Sequence, residues 1–235
     1  MKHGFKLSLL TAFVLLIASS GVYSAASAPR VDKLPLVGWW RSKVQFQANA
    51  SANRRYNGCL FGDSISSGLG NTLGQSTANF AIGGLSSVSL LEQLKQLKAA
   101  HVQCQKAVIA IGTNDAMYSI SNSAFKRNLH QIISIARSMG TRDITVLPAF
   151  YSTVEASQDP DVAGSLARVD QISNMIQQVA EQEDVPLMAT DLQPLFRDRS
   201  LKAELTFDGV HLNNDGKKIY RQLIIKLFNS AVSSR

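Results

Sequence analysis

Short apolar runs alternate with amphipathic stretches along the chain after residue 58. The runs have the length of strands, and continuous apolar runs are typical of strands covered on both faces. Between them, hydrophobic residues recur at the spacing of one helix face. The predicted strands are 59–61, 77–82, 107–111, 144–147 and 185–189, and the predicted helix faces lie within 90–97, 125–136, 166–179 and 219–227. This alternation predicts an α/β fold with a parallel sheet and helices on both faces, and Pro186 indicates that the fifth strand is at an edge.

The amino-terminal residues have a different character. Two lysines precede an apolar stretch, 7–22, and small residues follow it. This is the pattern of a secretory signal peptide, and we expect cleavage after Ser24 or Ala26, which gives a signal segment of 1–26. An uncleaved membrane anchor is the alternative, because the apolar length comes close to that of a span. We therefore expect a secreted or periplasmic protein, or, on the alternative, a membrane-anchored one.

Residues 27–57 form a lead-in to the main domain, which we assign to 58–235. The lead-in contains four large apolar residues with loosely helical spacing: Trp39, Trp40, Val44 and Phe46. This spacing predicts a short segment laid across the domain. We expect it to pack as an amino-terminal arm and not to serve as a membrane-touching tryptophan patch.

Composition and charge narrow the class of partner. The chain has 235 residues, of which 45% are hydrophobic, and this is enough for one domain with a sizeable core. The formal net charge of +7 falls to +5 (7 − 2) if the signal segment and its two lysines are removed. The chain has no dense basic cluster interleaved with aromatic residues, so we expect no nucleic acid partner. After signal cleavage we expect no stable membrane insertion, and the sequence has no residue cluster with metal-ligand spacing, so no cofactor is expected.

Candidate site residues follow three of the predicted strands. Ser64 comes shortly after the first, Gly83 and Gly84 after the second, and Asn114 after the third. The carboxyl ends of parallel strands meet at one edge of the sheet, where ligands bind in such folds. Ser64 is therefore a candidate nucleophile, although Gly, Asp and Ser also form ordinary strand-to-loop turns.

A serine nucleophile needs a base, and His211 is the best placed of the four histidines. It lies in a turn before the last helix, and Asp208, three residues earlier, can reach its Nδ1 hydrogen. The alternative is a helix-entry turn in which Asp208 or Asn213 is only a cap. The other histidines are expected in the signal segment, at the opposite end of a strand and on a solvated helix face: His3, His101 and His130, in that order.

Four motifs together resemble the characteristic blocks of the GDSL, or SGNH, hydrolases. They are Gly62-Asp63-Ser64-Ile65-Ser66, Gly84, Gly112-Thr113-Asn114-Asp115 and Asp208-Gly209-Val210-His211-Leu212. The resemblance implies a flavodoxin-like, three-layer α/β/α sandwich with a five-stranded parallel sheet. It also implies a serine esterase in which Ser64 is the nucleophile, His211 the base and Asp208 its partner. The oxyanion hole would consist of the Ser64 and Gly84 N–H groups and the Asn114 side-chain amide, with Gly83 as a neighbouring candidate donor.

The resemblance also bears on the substrate. The positions of Trp39, Phe46 and the His211-Leu212 pair are most similar to the platelet-activating-factor acetylhydrolase-like branch, which implies short acyl groups. We expect an esterase acting on a small-molecule, glycan or lipid ester. The alternatives are an envelope acyltransferase or deacetylase acting on polysaccharide, and a catalytically silent binding module. The segment 149–164, with Phe150 and Tyr151, is expected to overhang the site and select the substrate, or to be a plain surface loop.

Cys59 and Cys104 are expected to be free thiols. In the strand order of the resembled family, the first and third strands are neighbours, and Ser64 and Asn114 mark their level ends. On that basis the two cysteines are offset by about five residues along the strands, or roughly 16 Å, which is beyond the reach of a disulfide.

Overall fold

The computed structural model of the protein describes residues 31–230, and the predicted signal segment, 1–26, lies outside them. The helices are α1 (Gly38–Ala50), α2 (Ser64–Ser67), α3 (Ser87–Ala99), α4 (Thr113–Met117), α5 (Asn122–Ser138), α6 (Val154–Ser157), α7 (Leu166–Gln182) and α8 (Asn214–Asn229). The strands are β1 (Arg55–Gly62), β2 (Thr77–Asn79), β3 (Gln103–Ala110), β4 (Asp143–Val146) and a short hairpin, β5 (Phe196–Arg197) and β6 (Ser200–Leu201). Three short 3₁₀ helices span Leu34–Leu36, Thr190–Leu195 and Ala203–Leu205.

The main sheet is parallel and has the order β2-β1-β3-β4. In its register, Cys59 of β1 pairs with Ala78 of β2 and with Ala107 of β3. β2 and β3 therefore lie on opposite sides of β1 in the sheet. A crevice forms at the carboxyl ends of the strands where the order reverses, and this is where α/β sheets bind ligands. The predicted α/β class with a parallel sheet flanked by helices is confirmed.

The sheet differs from the prediction in its fifth strand. Of the predicted run 185–189, only Leu187 pairs with the sheet, through an isolated bridge to Val146. The Val146 N–H donates to the Pro186 carbonyl, and the Met188 N–H donates to the Val146 carbonyl. Pro186 has no N–H to donate, and the chain turns directly into the 3₁₀ helix Thr190–Leu195, so the ladder cannot extend. The described sheet therefore has four strands with one bridged residue at its edge.

Two hydrophobic clusters cover the two faces of the sheet. Along β1, Cys59 and Phe61 point into one cluster and Leu60 points into the other, as the two-residue period of a strand requires. The first cluster is closed by α1, α3, α5 and α7, and the second mainly by α8. This burial on both faces explains why the strands appear in the sequence as continuous apolar runs. It also holds the carboxyl ends of the strands in a fixed geometry.

Within the lead-in, α1 packs with one side only. Trp40 and Val44 are buried, as expected of an amino-terminal arm, whereas Trp39 and Phe46 are exposed. The buried Gln47 amide of α1 donates to the carbonyl of Phe80, which directly follows β2. Among residues 31–230, no helix is both long and apolar enough to cross a membrane.

The prediction that the two cysteines are free thiols is wrong. Cys59 and Cys104 form a disulfide, and their Cα atoms are 5.9 Å apart. The register pairs Gly62 with Ala110, so Ser64 is level with residue 112 and not with Asn114. Because Ser64 and Asn114 are not level, the expected offset between Cys59 and Cys104 along the strands is two residues too large.

An offset of three residues between the two cysteines remains in the register. The ladder pairs Cys59 with Ala107, three residues after Cys104, and a flat strand would still separate the cysteines by about 10 Å along its length. The same ladder pairs Cys104 with Tyr56 of β1, three residues before Cys59. The disulfide shows that the two cysteines are nevertheless in contact, so an offset counted in residues along the ladder does not exclude a bond between them.

Removal of the disulfide should destabilise the domain. The bond closes a loop with a sequence separation of 45 residues, and the loss of loop-closure entropy in the unfolded chain corresponds to about 4 kcal/mol. We expect the Cys59→Ala/Cys104→Ala variant to lower the free energy of unfolding in urea by about this amount. Wild-type protein unfolded with a reductant is the matched control and should lose a similar amount. Equal stability of oxidised, reduced and double-variant proteins would contradict the assignment.

Candidate active site

The turn from β1 into α2 presents Ser64 at the carboxyl edge of the sheet. Gly62 is required in this turn, because a Cβ there would lie 2.5 Å from Ser66 Oγ and 2.9 Å from the Ala110 carbonyl oxygen. Asp63 caps α2, and its carboxylate accepts a hydrogen bond of 3.0 Å from the Ile65 N–H. Ser64 is the first residue of α2 and is partly exposed. The chain reversal thus turns the serine hydroxyl outward while the flanking residues remain buried.

Ser64, His211 and Asp208 form one hydrogen-bonded series. His211 Nε2 lies 2.9 Å from Ser64 Oγ, and His211 Nδ1 lies 2.6 Å from Asp208 Oδ2. The other oxygen, Asp208 Oδ1, accepts a bond of 2.7 Å from the His211 N–H. Burial opposes the ionisation of Asp208, but the hydrogen bonds from His211 and Val210 outweigh it and hold the pKa of the carboxyl below its ordinary value. An ionised Asp208 fixes the Nδ1–H tautomer of His211 and leaves Nε2 as an acceptor for the serine proton.

The loop that carries His211 is held from two sides. Thr206 Oγ1 donates to the His211 carbonyl and accepts from the Gly209 N–H, which closes the turn internally. From outside, the Thr153 N–H donates to the Gly209 carbonyl at 2.8 Å. Gly209 has φ +85°, and a Cβ there would lie 2.8 Å from Ala156 Cβ, so only glycine fits between the loop and α6.

The segment 149–164 has a different role from the expected one. Phe150 is buried against Phe196 and Tyr220 and offers no surface to a substrate. Tyr151 is half-buried, and its hydroxyl donates to Asp170 on α7. The prediction that these two aromatic residues overhang the site is therefore wrong for Phe150. Through Thr153, the segment instead supports the loop that carries His211.

The expected oxyanion donors are brought together by a hydrogen bond between two loops. Asn114, in the first turn of α4, donates from Nδ2 to the Leu85 carbonyl at 2.9 Å, immediately after Gly84. Gly84 has φ +77°, a conformation that favours glycine. A Cβ placed at Gly83 would be 3.8 Å from Ser64 Cβ, so Gly83 lies beside the serine and Gly84 is the next residue. The structure thus brings the loop that carries Gly83 and Gly84 to Ser64, and the Asn114 side chain is bonded to that loop at Leu85.

The lead-in reaches this side of the site, a contact that no feature of the sequence indicates. Asp32 is buried; its Oδ2 accepts from Ser86 Oγ at 2.5 Å, and its Oδ1 accepts from the Leu34 N–H at 2.8 Å. A Cβ at Gly84 would lie 3.2 Å from Leu34 Cδ1 and 3.5 Å from the Tyr118 hydroxyl. Asp32 therefore links the segment before α1 to the loop that carries Gly84. No motif marks this link, because it joins residues 54 positions apart.

Two carboxyl groups behind the site are fully buried. Asp115 accepts three hydrogen bonds from the N–H and hydroxyl of Ser87, but burial dominates and raises its pKa to about 7. Burial likewise raises the pKa of Asp63 to about 6, against hydrogen bonds such as that from Ile65 and the positive charge of His211, which lower it. Both groups sit beneath the residues that line the site, so their ionisation is linked to the stability of the same region.

This linkage predicts a pH dependence of stability. Both carboxyls have folded-state pKa values above the ordinary value of 3.8, so the stability they contribute is complete below about pH 4 and is lost as the pH rises through about 6 and 7. Between pH 5 and pH 8 the free energy of unfolding should fall by about 4 kcal/mol, at 1.36 kcal/mol per pKa unit. Urea unfolding across this range measures it. The side chain of the Asp115→Asn variant is neutral at every pH, so this variant should lack the fall in the free energy of unfolding that extends to about pH 7. A free energy of unfolding of the wild type that rises from pH 5 to pH 8 would contradict the raised pKa values.

The remaining candidates lie away from this rim. His130 on α5 is half-buried and its Nδ1 lies 2.6 Å from Glu183, so it is paired and not simply solvated as expected. His101 has φ +57° and follows α3 at the opposite end of the sheet. Within residues 31–230, no three His, Cys, Asp or Glu side chains are grouped so that they could hold a metal ion.

Comparison with known families agrees with this geometry. The model of the GDSL-like lipase/acylhydrolase family matches residues 60–219, which is more than half of the chain. The chain belongs to the GDSL-like lipase/acylhydrolase family. The match begins just before the β1–α2 turn and includes every residue of the Ser64 series and the Asn114 loop. The lead-in, including Asp32 and α1, lies outside it. None of the curated proteins matches the chain in sequence.

Solved structures show that this GDSL protein shares its fold with distant relatives. A GDSL-like lipase from Bacteroides thetaiotaomicron is 17% identical, with a TM-score of 0.66 over 80% of this chain and 96% of that one. A protein from Streptococcus pneumonia described as a platelet activating factor is 24% identical, with a TM-score of 0.64 over 79% and 90%. A catalytic mutant of an acetylxylan esterase from Geobacillus stearothermophilus is 19% identical, with a TM-score of 0.55 over 76% and 96%. At these identities the likeness shows the fold alone.

Proposed function

We propose that the protein is an exported serine esterase that hydrolyses carboxylic esters of short acyl groups. The observation that carries the proposal is the hydrogen-bonded series Ser64 Oγ, His211 and Asp208 at the carboxyl edge of the sheet. A serine, a base that contacts its hydroxyl and a carboxylate that orients the base are the parts that acyl transfer requires. Family membership supports hydrolase chemistry on acyl substrates.

The reaction proceeds in two halves. His211 Nε2 removes the Ser64 proton as Oγ attacks the ester carbonyl, and Asp208 stabilises the imidazolium that forms. Collapse of the tetrahedral intermediate breaks the ester C–O bond, and His211 gives its proton to the departing alcohol. Water then attacks the acyl-enzyme with His211 again as base, which releases the carboxylic acid and restores Ser64.

The charge on the tetrahedral oxygen is stabilised by the Ser64 and Gly84 N–H groups and the Asn114 amide. The amide is already oriented by its bond to Leu85, so little reorganisation is needed during the reaction. We expect Asn114→Ala to lower kcat by about 10²-fold to 10³-fold with little change in KM, because this donor acts mainly in the transition state. Steady-state kinetics on p-nitrophenyl acetate measure the effect. Asn122→Ala, an exposed asparagine on α5, is the matched control, and equal kcat values for the two variants would remove Asn114 from the oxyanion hole.

Export is supported by two independent features. Residues 1–26 have the pattern of a secretory signal peptide, and the disulfide of the described domain is of the kind that persists in oxidising compartments. We propose a secreted or periplasmic location. Fractionation of producing cells, with sequencing of the amino terminus, tests both the location and the cleavage position.

Short acyl groups are the first substrates to test. A Cβ at Gly84 would lie 3.2 Å from Leu34 and 3.5 Å from the Tyr118 hydroxyl, so we expect limited room beside the reacting carbonyl. The named activity of one fold neighbour, an acetylxylan esterase, makes acetyl esters of glycans a second candidate substrate class. An acyltransferase or deacetylase acting on polysaccharide would use the same three residues and differ only in the acceptor.

A series of esters tests the proposal. We expect kcat/KM for p-nitrophenyl esters to fall from acetate to butyrate to octanoate, with Ser64→Ala as the inactive control. Preference for octanoate would contradict the short-acyl assignment, and turnover that does not depend on Ser64 would contradict the esterase. Addition of a xylan acceptor distinguishes transfer from hydrolysis, since transfer produces acetylated glycan at the expense of free acetate.

A further inference from the structure

The lead-in presents an apolar face to solvent. Among the described residues, four of the seven exposed large hydrophobic side chains lie between positions 31 and 46: Val31, Leu36, Trp39 and Phe46. Within α1, Trp39, Lys43 and Phe46 are exposed at the i, i+4 and i+7 positions of one helical stripe, and Leu36 is exposed in the turn just before the helix. We call these residues, together with Val31, Lys33 and Arg41, the outer face of α1, in which we include the turn before the helix; the Arg41 guanidinium donates to the Leu36 carbonyl. Exposed apolar side chains that are clustered, and not scattered singly, are a feature of interaction sites.

This outer face is held in place by the opposite side of the helix. Trp40 and Val44 are buried in the core, and Gln93 Nε2 of α3 donates to Gln47 Oε1 at 2.7 Å. Beyond the end of α1, the Tyr56 hydroxyl donates to Ser51 Oγ. The outer face is therefore presented by an anchored helix and does not result from local unfolding.

The charged residues of the outer face all have the same sign. Lys33, Arg41 and Lys43 are exposed, and residues 33–50 contain no Asp or Glu. The nearest carboxyl in sequence, Asp32, is buried and engaged by Ser86. Exposed Trp, Phe and Leu side chains mixed with basic residues and no acidic ones are the composition of helices that lie in the interface of a bilayer.

We propose that the outer face of α1 binds reversibly to membrane surfaces that contain anionic lipids. The positive charges complement anionic headgroups, and the apolar side chains enter the boundary of the acyl region. A protein partner is less well matched, because the face offers a single sign of charge and no carboxylate acceptor. This inference revises the expectation that the tryptophan segment serves only as a packed arm, and it does not depend on the esterase activity.

The position of the outer face connects membrane binding to the site. Leu34, in the same turn before α1, would lie 3.2 Å from a Cβ placed at Gly84, so this end of the outer face is beside an expected oxyanion donor. A domain docked by this face would hold the carboxyl edge of the sheet close to the lipid surface. The whole outer face lies outside the family match of 60–219.

Tryptophan fluorescence tests the proposal on the full protein. The chain contains two tryptophans, and Trp40→Phe leaves Trp39 as the only reporter on the outer face. With vesicles of equal parts phosphatidylglycerol and phosphatidylcholine, we expect the Trp39 emission to shift to the blue and to be quenched by brominated acyl chains. Binding to vesicles of phosphatidylcholine alone should be on the order of 100-fold weaker, because three basic residues lose their partners. Unchanged Trp39 emission on protein that is bound to vesicles would overturn the proposal.

Substitutions on α1 test whether the protein binds vesicles through the outer face. We expect Trp39→Ser/Phe46→Ser to weaken co-sedimentation with the anionic vesicles by at least about tenfold, through the loss of two buried aromatic side chains. Gln45→Ser, an exposed polar position on the same helix, is the matched control and should bind as wild type does. All proteins carry the same amino terminus, so any contribution of 1–26 is common to them. Equal sedimentation of the double variant and the control, or a concentration-dependent blue shift without vesicles, would overturn the proposal, the latter in favour of a second copy of the chain.

Discussion

Replacement of Ser64 by alanine is expected to lower kcat on p-nitrophenyl acetate by at least about 10⁴-fold. The acyl-enzyme cannot form without Oγ, and the remaining turnover comes from the oxyanion donors and substrate binding alone. Because Ser64 is partly exposed at the rim and its hydroxyl makes the 2.9 Å bond to His211, removal of that oxygen should leave the fold intact. Steady-state kinetics with enzyme of matched circular dichroism measure the loss.

A second variant makes this prediction stricter. Ser64 and His211 act as one unit, so the Ser64→Ala/His211→Ala double variant should be no slower than Ser64→Ala by more than a small factor. Independent, multiplicative losses would mean that the two residues do not cooperate. Ser66→Ala is a poor control, because Ser66 Oγ contacts the buried Tyr220 hydroxyl; Ser67→Ala, in the same helix, is the better one.

Replacement of Asp208 by asparagine is expected to lower kcat by about 10³-fold at pH 7. The introduced amide would no longer hold the Nδ1–H tautomer of His211, so Nε2 would carry the proton and could not accept one from Ser64. The loss should be smaller than for Ser64→Ala, because the Asp208 side chain is 39% exposed and water can replace part of its interaction. The effect should appear in kcat, since Asp208 contacts His211 and not the substrate.

The control for Asp208 is a neighbouring carboxyl that does not contact His211. Asp215→Asn alters a residue in the first turn of α8 and should change kcat by less than about threefold. A loss of less than about tenfold for Asp208→Asn would show that another group orients His211. Comparable losses for the two variants would show that the effect is structural and does not come from the contact with His211.

The positions of the candidate site residues were predictable because local features set them. Ser64 and Asn114 each follow a strand directly, and parallel strands bring their carboxyl ends to one edge whatever the details of packing. Asp208 is close to His211 in sequence, so a single turn is enough to form their contact. These positions needed only the strand assignments and the motif spacing.

The errors concern contacts that depend on register or on distant residues. The cysteines were misassigned because register cannot be read from apolar runs, and the level of Asn114 relative to Ser64 was two residues off. The predicted fifth strand, 185–189, is too long, because Pro186 and the following 3₁₀ helix limit the ladder to Leu187. Asp32 and Ser86 meet only after α1 has packed on α3, so no local pattern in the sequence indicates their bond.

The most direct test of the central claim is to locate the covalent adduct that a serine-directed phosphonylating reagent forms. Wild-type protein treated with a fluorophosphonate should be modified on Ser64, as located by fragmentation of the peptide in a mass spectrometer, with activity lost in proportion to labelling. Prior replacement of His211 by alanine should slow the labelling by several orders of magnitude, because Oγ loses its base. Modification of a different residue, or ester turnover that persists in fully Ser64-labelled protein, would contradict the account.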